Sequence, residues 1–332
     1  MNKINLSIIS KNIKLFKHLL IGILVFSFLL FASCKTTIES DIYTSDIRNF
    51  WQAYDSVLTK TDRQEQIELM QRLYVNKGTS GLDAFMELRN FNAEKLVKAV
   101  NDYPRFWKSI RPNTLKVDEK LPELSQYIKK LKTLYPTYRE AKIYFTITAI
   151  RSGGTTKDSL VLVGTEIATG NAQTDVSEFP DKRLETFFKN QKEDNIIPFT
   201  IHEYVHTQQK SEGTTLLGQS IYEGACDFIT ELVLEKKLEH AYLVYGRKKE
   251  SAVKERFKEQ MWGENWEEWL YNGNQTKSIG DLGYYMGYTI CNSFYSRAED
   301  KKQAISTIIE LDYNDENEIS KFLEQSEYYG KK

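Results

Sequence analysis

The run Ile201-His202-Glu203-Tyr204-Val205-His206 constrains this chain more than any other stretch. Ile201, Tyr204 and Val205 recur at helical spacing and must bury one face, while a separation of four residues sets both imidazoles together on the other. The segment begins near Ile196 and carries Pro198 in its first turn, where a missing N–H costs little. Two ring nitrogens on one helix face can meet a single Zn²⁺ at roughly 2.0–2.1 Å. Glu203 then lies beside the metal without binding it, placed to take a proton from water and pass it to a departing amine.

Two imidazoles do not complete a zinc site. Glu223 follows His206 by 17 residues on a new helical segment, and Asp227 stands one turn further along the same face. The expected centre is zinc held by His202, His206 and Glu223, with Asp227 accepting the second ring N–H of His202 and so fixing its tautomer. Three protein ligands leave a fourth position for water, which favours a catalytic over a structural zinc. Glu231 and His240 fall outside the reach of that helix face and are set aside as ligands.

The chain has 332 residues, 41% of them hydrophobic, enough for a sizeable core. Its net charge of −1 supplies no global field to recruit nucleic acid. Lys3, Lys11, Lys14 and Lys17 precede an apolar run, Leu19 to Ala32, that ends in Phe31-Ala32-Ser33-Cys34. This order reads as a bacterial lipoprotein signal: residues 1–33 are removed, Cys34 is acylated and anchors the body to a lipid bilayer, and residues 34–43 form a tether. The run is shorter than the roughly 20 apolar residues that span a membrane. The expected location is the cell envelope, at the outer membrane. Cys226 and Cys291 sit in apolar helical patterns and are expected as buried thiols rather than a disulfide.

Helical periodicity starts at Ser45, with Ile47, Phe50, Trp51, Tyr54 and Val57 on one face, and returns in 66–74, 82–91, 93–103 and 121–135. Gly78, Gly81, Pro104, Pro112 and Pro136 punctuate it. Residues 44–135 are therefore expected as an N-terminal helical lobe and 136–332 as the catalytic domain. The apolar runs 142–150 and 159–167 read as a β-hairpin turning at Gly153-Gly154. Residues 171–195 read as a polar loop around a short helix near 184–190, and Glu166 as an ordinary exposed charge. The fold class is α+β, predominantly helical.

The paired histidines followed by Glu223-Gly224-Ala225-Cys226-Asp227 resemble the gluzincin metallopeptidases, the thermolysin-like clan. More closely, Gly78-Thr79-Ser80-Gly81-Leu82, Arg151-Ser152-Gly153-Gly154-Thr155, Gln208-Gln209 and Gly283-Tyr284-Tyr285-Met286-Gly287-Tyr288 resemble a bacterial family of predicted zinc-dependent proteases related to gliding-motility-associated lipoproteins. The resemblance implies a zincin-like domain in a membrane-anchored zinc metalloprotease that cleaves extracytoplasmic proteins or peptides. It also implies an edge strand, 159–165, to which an extended substrate adds, and a downstream tyrosine for the oxyanion. On the helix from Asp281 to Tyr295 that tyrosine is Tyr288, with Tyr285 as second choice. The alternative of a different class is a non-catalytic envelope lipoprotein that supports secretion or gliding machinery and keeps a structural zinc. The N-terminal helices do not resemble the thermolysin lobe, so no substrate detail carries over.

Overall fold

A computed structural model describes residues 41–330, apart from 181, 190, 192–194 and 274–278. Cys34 and the leader before it lie outside the described residues. Residues from Asp41 onward form one compact unit, so the N-terminal helices are a layer of the same body that carries the histidine motif.

Six helices build that layer: α1 (Ser45–Val57), α2 (Arg63–Leu73), α3 (Ser80–Arg89), α4 (Ala93–Asp102), α5 (Pro104–Leu115) and α6 (Val117–Leu134). Asp62, Thr79 and Asn92 accept hydrogen bonds from the first free N–H groups of α2, α3 and α4. Helix α5 was not legible as a periodic run, because Pro104 looks like a stop. It stands instead at the first helical turn, where proline is preorganised. Phe50, Trp51, Tyr74 and Trp107 are buried and pack edge to face at the centre of the layer.

The sheet corrects the expected hairpin. Strands β1 (Ile42–Tyr43), β2 (Lys142–Thr146), β3 (Gly154–Lys157) and β4 (Leu160–Gly164) lie in the order β1-β2-β4-β3. The two apolar runs pair parallel, Ile143 opposite Val161 and Phe145 opposite Val163, while the hairpin joins β3 to β4. Gly154 therefore opens an edge strand, and the residues of β4 expected at the edge are interior. The physical reason is burial: Gly154-Thr155-Thr156-Lys157 is only half-buried along its length and so carries no apolar alternation to reveal it.

Between β2 and β3 the chain leaves the sheet through Ala149 and Ile150, both in the left-handed region at φ 54° and 62°. Two pins hold it there. The buried Tyr74 hydroxyl donates to the Ile147 carbonyl at 2.7 Å and accepts from its N–H at 2.9 Å. Glu166 Oε1 accepts from Thr148 N at 2.8 Å, Thr148 Oγ1 at 2.9 Å and Ile150 N at 2.9 Å. Glu166 is thus fully buried, against the expectation of an exposed charge, and its Oε2 has no partner among the described residues.

The remaining helices are α7 (Thr165–Ala168), α8 (Arg183–Lys189), α9 (Ile196–His206), α10 (Leu216–Leu234), α11 (Ala241–Gln260), α12 (Leu282–Arg297), α13 (Lys301–Glu310) and α14 (Glu316–Ser326). Helix α10 is buried on nearly all sides, and α12 is its main neighbour. Small residues make that approach possible, since a Cβ on Gly287 would overlap the Ser220 carbonyl and one on Gly224 would overlap the Tyr288 backbone. The result is an α+β fold with more helix than strand. Among the described residues no helix is long and apolar enough to cross a membrane, and Cys226 and Cys291 are free, buried thiols.

Two outcomes test this packing. Gly287→Ala should destabilise the fold by about 1–3 kcal/mol or more, because backbone must move to admit one methyl group; an unchanged denaturation midpoint would contradict the close approach. Burial holds the Glu166 carboxyl above its usual range, opposed by the bonds from Ile150 and Thr148. The stability it contributes as a neutral acid is in place below about pH 4.3 and is lost as pH rises through the folded value. Glu166→Gln keeps an accepting oxygen without that loss, so its stability relative to wild type should improve from acid to neutral pH in melts across that range.

Candidate metal centre

Helix α9 forms because Ile197, Ile201, Tyr204 and Val205 bury a continuous face. Its other side presents His202, Glu203 and His206. Helix α10, capped by the Thr215 hydroxyl, brings Glu223 and Asp227 against them on one face. His202 Nε2 lies 3.4 Å from Glu223 Oε2, His206 Nε2 lies 3.2 Å from the same oxygen, and the two Nε2 atoms are 3.2 Å apart.

Hydrogen bonds on the far side of each ring decide what those atoms offer. His202 Nδ1 is 2.9 Å from Asp227 Oδ1, and Asp227 accepts the Tyr242 hydroxyl at 2.8 Å through its other oxygen. His206 Nδ1 is 2.7 Å from Gln209 Oε1. The amide orientation of Gln209 is fixed by its Nε2, which donates to the Tyr222 carbonyl at 2.8 Å and the Tyr313 hydroxyl at 3.0 Å. Both Nδ1 atoms therefore donate, and in the neutral rings both Nε2 lone pairs point at a carboxylate oxygen. These three atoms are then all acceptors, so the positive charge between them must come from a proton on an imidazole or from a cation.

The ionisation tendencies show the same demand for positive charge. Burial opposes a charged His202, but the carboxylates of Asp227 and Glu223 outweigh it and push its pKa well up. Burial also opposes the Glu223 carboxylate, and His206 and His202 beside it hold its pKa well below the usual range. The donor set itself fits zinc. Bonds of roughly 2.0–2.1 Å meeting at the tetrahedral angle place ligand atoms about 3.3–3.4 Å apart, against the 3.2–3.4 Å found here. Cys226 also comes within ligand range of both histidines. Its Sγ, however, faces His206 Nδ1 at 3.3 Å, the nitrogen turned away from the triangle, and burial raises its thiol pKa. The atoms that converge on one point are those of His202, His206 and Glu223.

Glu203 is half-buried beside the triangle and makes no hydrogen bond among the described residues. Burial raises its pKa, offset in part by His206 and His202. The β3 edge reaches it, since a Cβ on Gly154 would lie 2.7 Å from Glu203 Oε1.

The tyrosines around the centre differ from those expected. Tyr288 donates to Glu231 Oε2 at 2.8 Å and receives a bond from Lys237 at 2.9 Å, and Tyr285 packs over Gly246. Neither reaches the triangle. Tyr284 does, stacked 6.3 Å from the His202 ring, as does Tyr222, 4.5 Å from the His206 ring. Tyr271 was missed altogether: its hydroxyl donates to Glu223 Oε1 at 2.7 Å. Glu231 and His240 stay off the triangle as expected. Glu231 is neutralised by Lys237 and Arg247, and His240 stacks on Tyr242. A separate cavity of about 430 Å³, lined by Phe228, Glu231, Lys237, Asn292, Tyr295 and Lys301, includes no residue of the triangle.

The family described as gliding motility protein GldB matches residues 35–279, about three-quarters of the chain. The chain belongs to that family. The matched span includes the whole triangle, Asp227, Gln209 and Tyr271, and stops short of α12, so the Gly283 to Tyr288 run lies beyond it. The GldB family is one of lipoproteins, which assigns the chain to the envelope and agrees with the Cys34 motif read from sequence. No curated protein and no solved structure matches the chain. Membership in the GldB family assigns neither peptidase activity nor zinc.

If the triangle is a metal centre, the purified mature protein should hold one zinc per chain, and His202→Ala or His206→Ala should lose it in elemental analysis. Tyr288→Phe should keep it. Stoichiometric zinc in either histidine variant would contradict the assignment.

Proposed function

We propose that this chain is an envelope lipoprotein of the gliding machinery, anchored at the outer membrane through Cys34 and holding zinc between His202, His206 and Glu223. The observation that carries the reading is the GldB family match across residues 35–279. Metal belongs in it because two acceptor nitrogens and a carboxylate oxygen converge with tetrahedral spacing. In such a protein the metal ties α9 to α10 and so fixes the sheet and loop packed on α9.

A second reading is favoured by one specific observation. Glu203 lies next to the triangle, outside the set of converging atoms and without a hydrogen-bond partner among the described residues, and a tie between helices needs no such group. In this reading the protein is a zincin-like metallopeptidase acting on extracytoplasmic proteins or peptides. Zinc, when bound, supplies charge and Lewis acidity that activate water or polarise a carbonyl. Glu203 Oε1 would accept a proton from water and return it to a leaving amine. The exposed backbone of β3 beside Glu203 would align an extended chain.

One set of variants separates the two. For a machinery component, Glu203→Gln should keep its zinc and restore gliding to a deletion strain, whereas Glu223→Gln should weaken zinc binding and fail to restore it. Cleavage of a peptide library by wild type, together with a zinc-loaded Glu203→Gln protein that neither cleaves nor restores gliding, would overturn the structural reading in favour of the peptidase.

A further inference from the structure

Tyr271 is the most exposed residue bonded to the triangle and one of the most constrained. Its backbone is in the left-handed region at φ 57°, a conformation that a bulky side chain rarely adopts, yet 52% of its surface is open to solvent. The ring edges against Trp266 and Tyr284 without being enclosed. Its hydroxyl oxygen donates to Glu223 Oε1 at 2.7 Å and accepts from Gln219 Nε2 at 2.6 Å. Gln219 is fully buried, and its Oε1 accepts the Gly213 N–H at 2.8 Å. A relay thus runs from the loop before α10, through Gln219 and Tyr271, to the second oxygen of Glu223.

The backbone behind Tyr271 is locked as well. Asn272 N–H donates to Asp281 Oδ1 at 2.9 Å and Asp281 N–H donates to Asn272 Oδ1 at 2.6 Å, closing a neck between these two positions. Asp281 is also left-handed, at φ 59°. The neck therefore sets the direction in which Tyr271 leaves the chain, and the phenol spans from that neck to Glu223.

We propose that Tyr271 is the positioning residue of the metal centre: by occupying Glu223 Oε1 it leaves Oε2 alone to face the two histidines, and it governs how tightly the centre retains its metal. The inference rests on the reading of His202, His206 and Glu223 as a metal site. A carboxylate with one oxygen engaged by a fixed donor offers a single ligand atom in a set direction, whereas a freed one rotates among alternatives.

The test uses the zinc-loaded mature protein and a chromophoric chelator. Tyr271→Phe keeps the ring and removes the bond, and Tyr271→Asn accepts the left-handed backbone but cannot reach Glu223. Both should lose zinc about 10–100-fold faster than wild type or bind it that much more weakly, while Tyr288→Phe behaves as wild type. In cobalt-loaded protein the visible absorption, which responds to how many carboxylate oxygens bind, should change in Tyr271→Phe and not in Tyr288→Phe. Wild-type zinc retention and an unchanged cobalt spectrum in both Tyr271 variants would overturn the proposal while leaving the metal centre standing. A wild type that binds no zinc would overturn both.

Discussion

A helix buried on nearly every side cannot leave a charge unanswered. Helix α10 carries Glu223, Asp227 and Glu231 at four-residue intervals along one such face, and the surrounding structure is arranged to answer them in turn. Glu223 meets the two imidazoles of α9 and the Tyr271 hydroxyl. Asp227 meets His202 and Tyr242, and Glu231 meets Lys237, Arg247, the Leu238 N–H and Tyr288. The close approach of α12 through Gly224 and Gly287 is what makes α10 this deeply enclosed. The candidate centre is one rung of this ladder, distinguished by facing imidazoles where the last rung faces lysine and arginine.

How much of this could be read in the sequence depended on whether the interaction was local. His202, Glu203 and His206 share one helix turn, and Glu223 and Asp227 share another, so the 3.6-residue period is enough to pair them. Gln209 stood in the quoted motif, but its role as anchor for His206 depends on Tyr222 and Tyr313, which only folding brings together. Tyr271 carried no periodic signal because it lies on a loop and acts through a backbone conformation.

The misplacement of Tyr288 and Tyr285 has a simple geometric cause. The glycines of α12 fix its phase and height against α10, and that sets Tyr284 level with His202. Tyr288 points to a similar side but about 6 Å further along the axis, at the level of Glu231, while Tyr285 is rotated by about 100° and packs on Gly246. The strand pairing was missed for a related reason. Parallel pairing of β2 and β4 needs a third segment in the connection, and that segment, β3, is polar because it is an edge.

On the proposed zinc reading, the facing nitrogens of His202 and His206 would tie the durability of the fold to its surroundings. A cation seated between them would bind the native chain in preference to the dispersed one, and mass action would add its binding free energy to the folding equilibrium. The amount of folded protein in the envelope would then follow the supply of that cation. Under scarcity, clearance of the unfolded fraction by quality-control proteases would lower its abundance before any chemistry at the site was called upon.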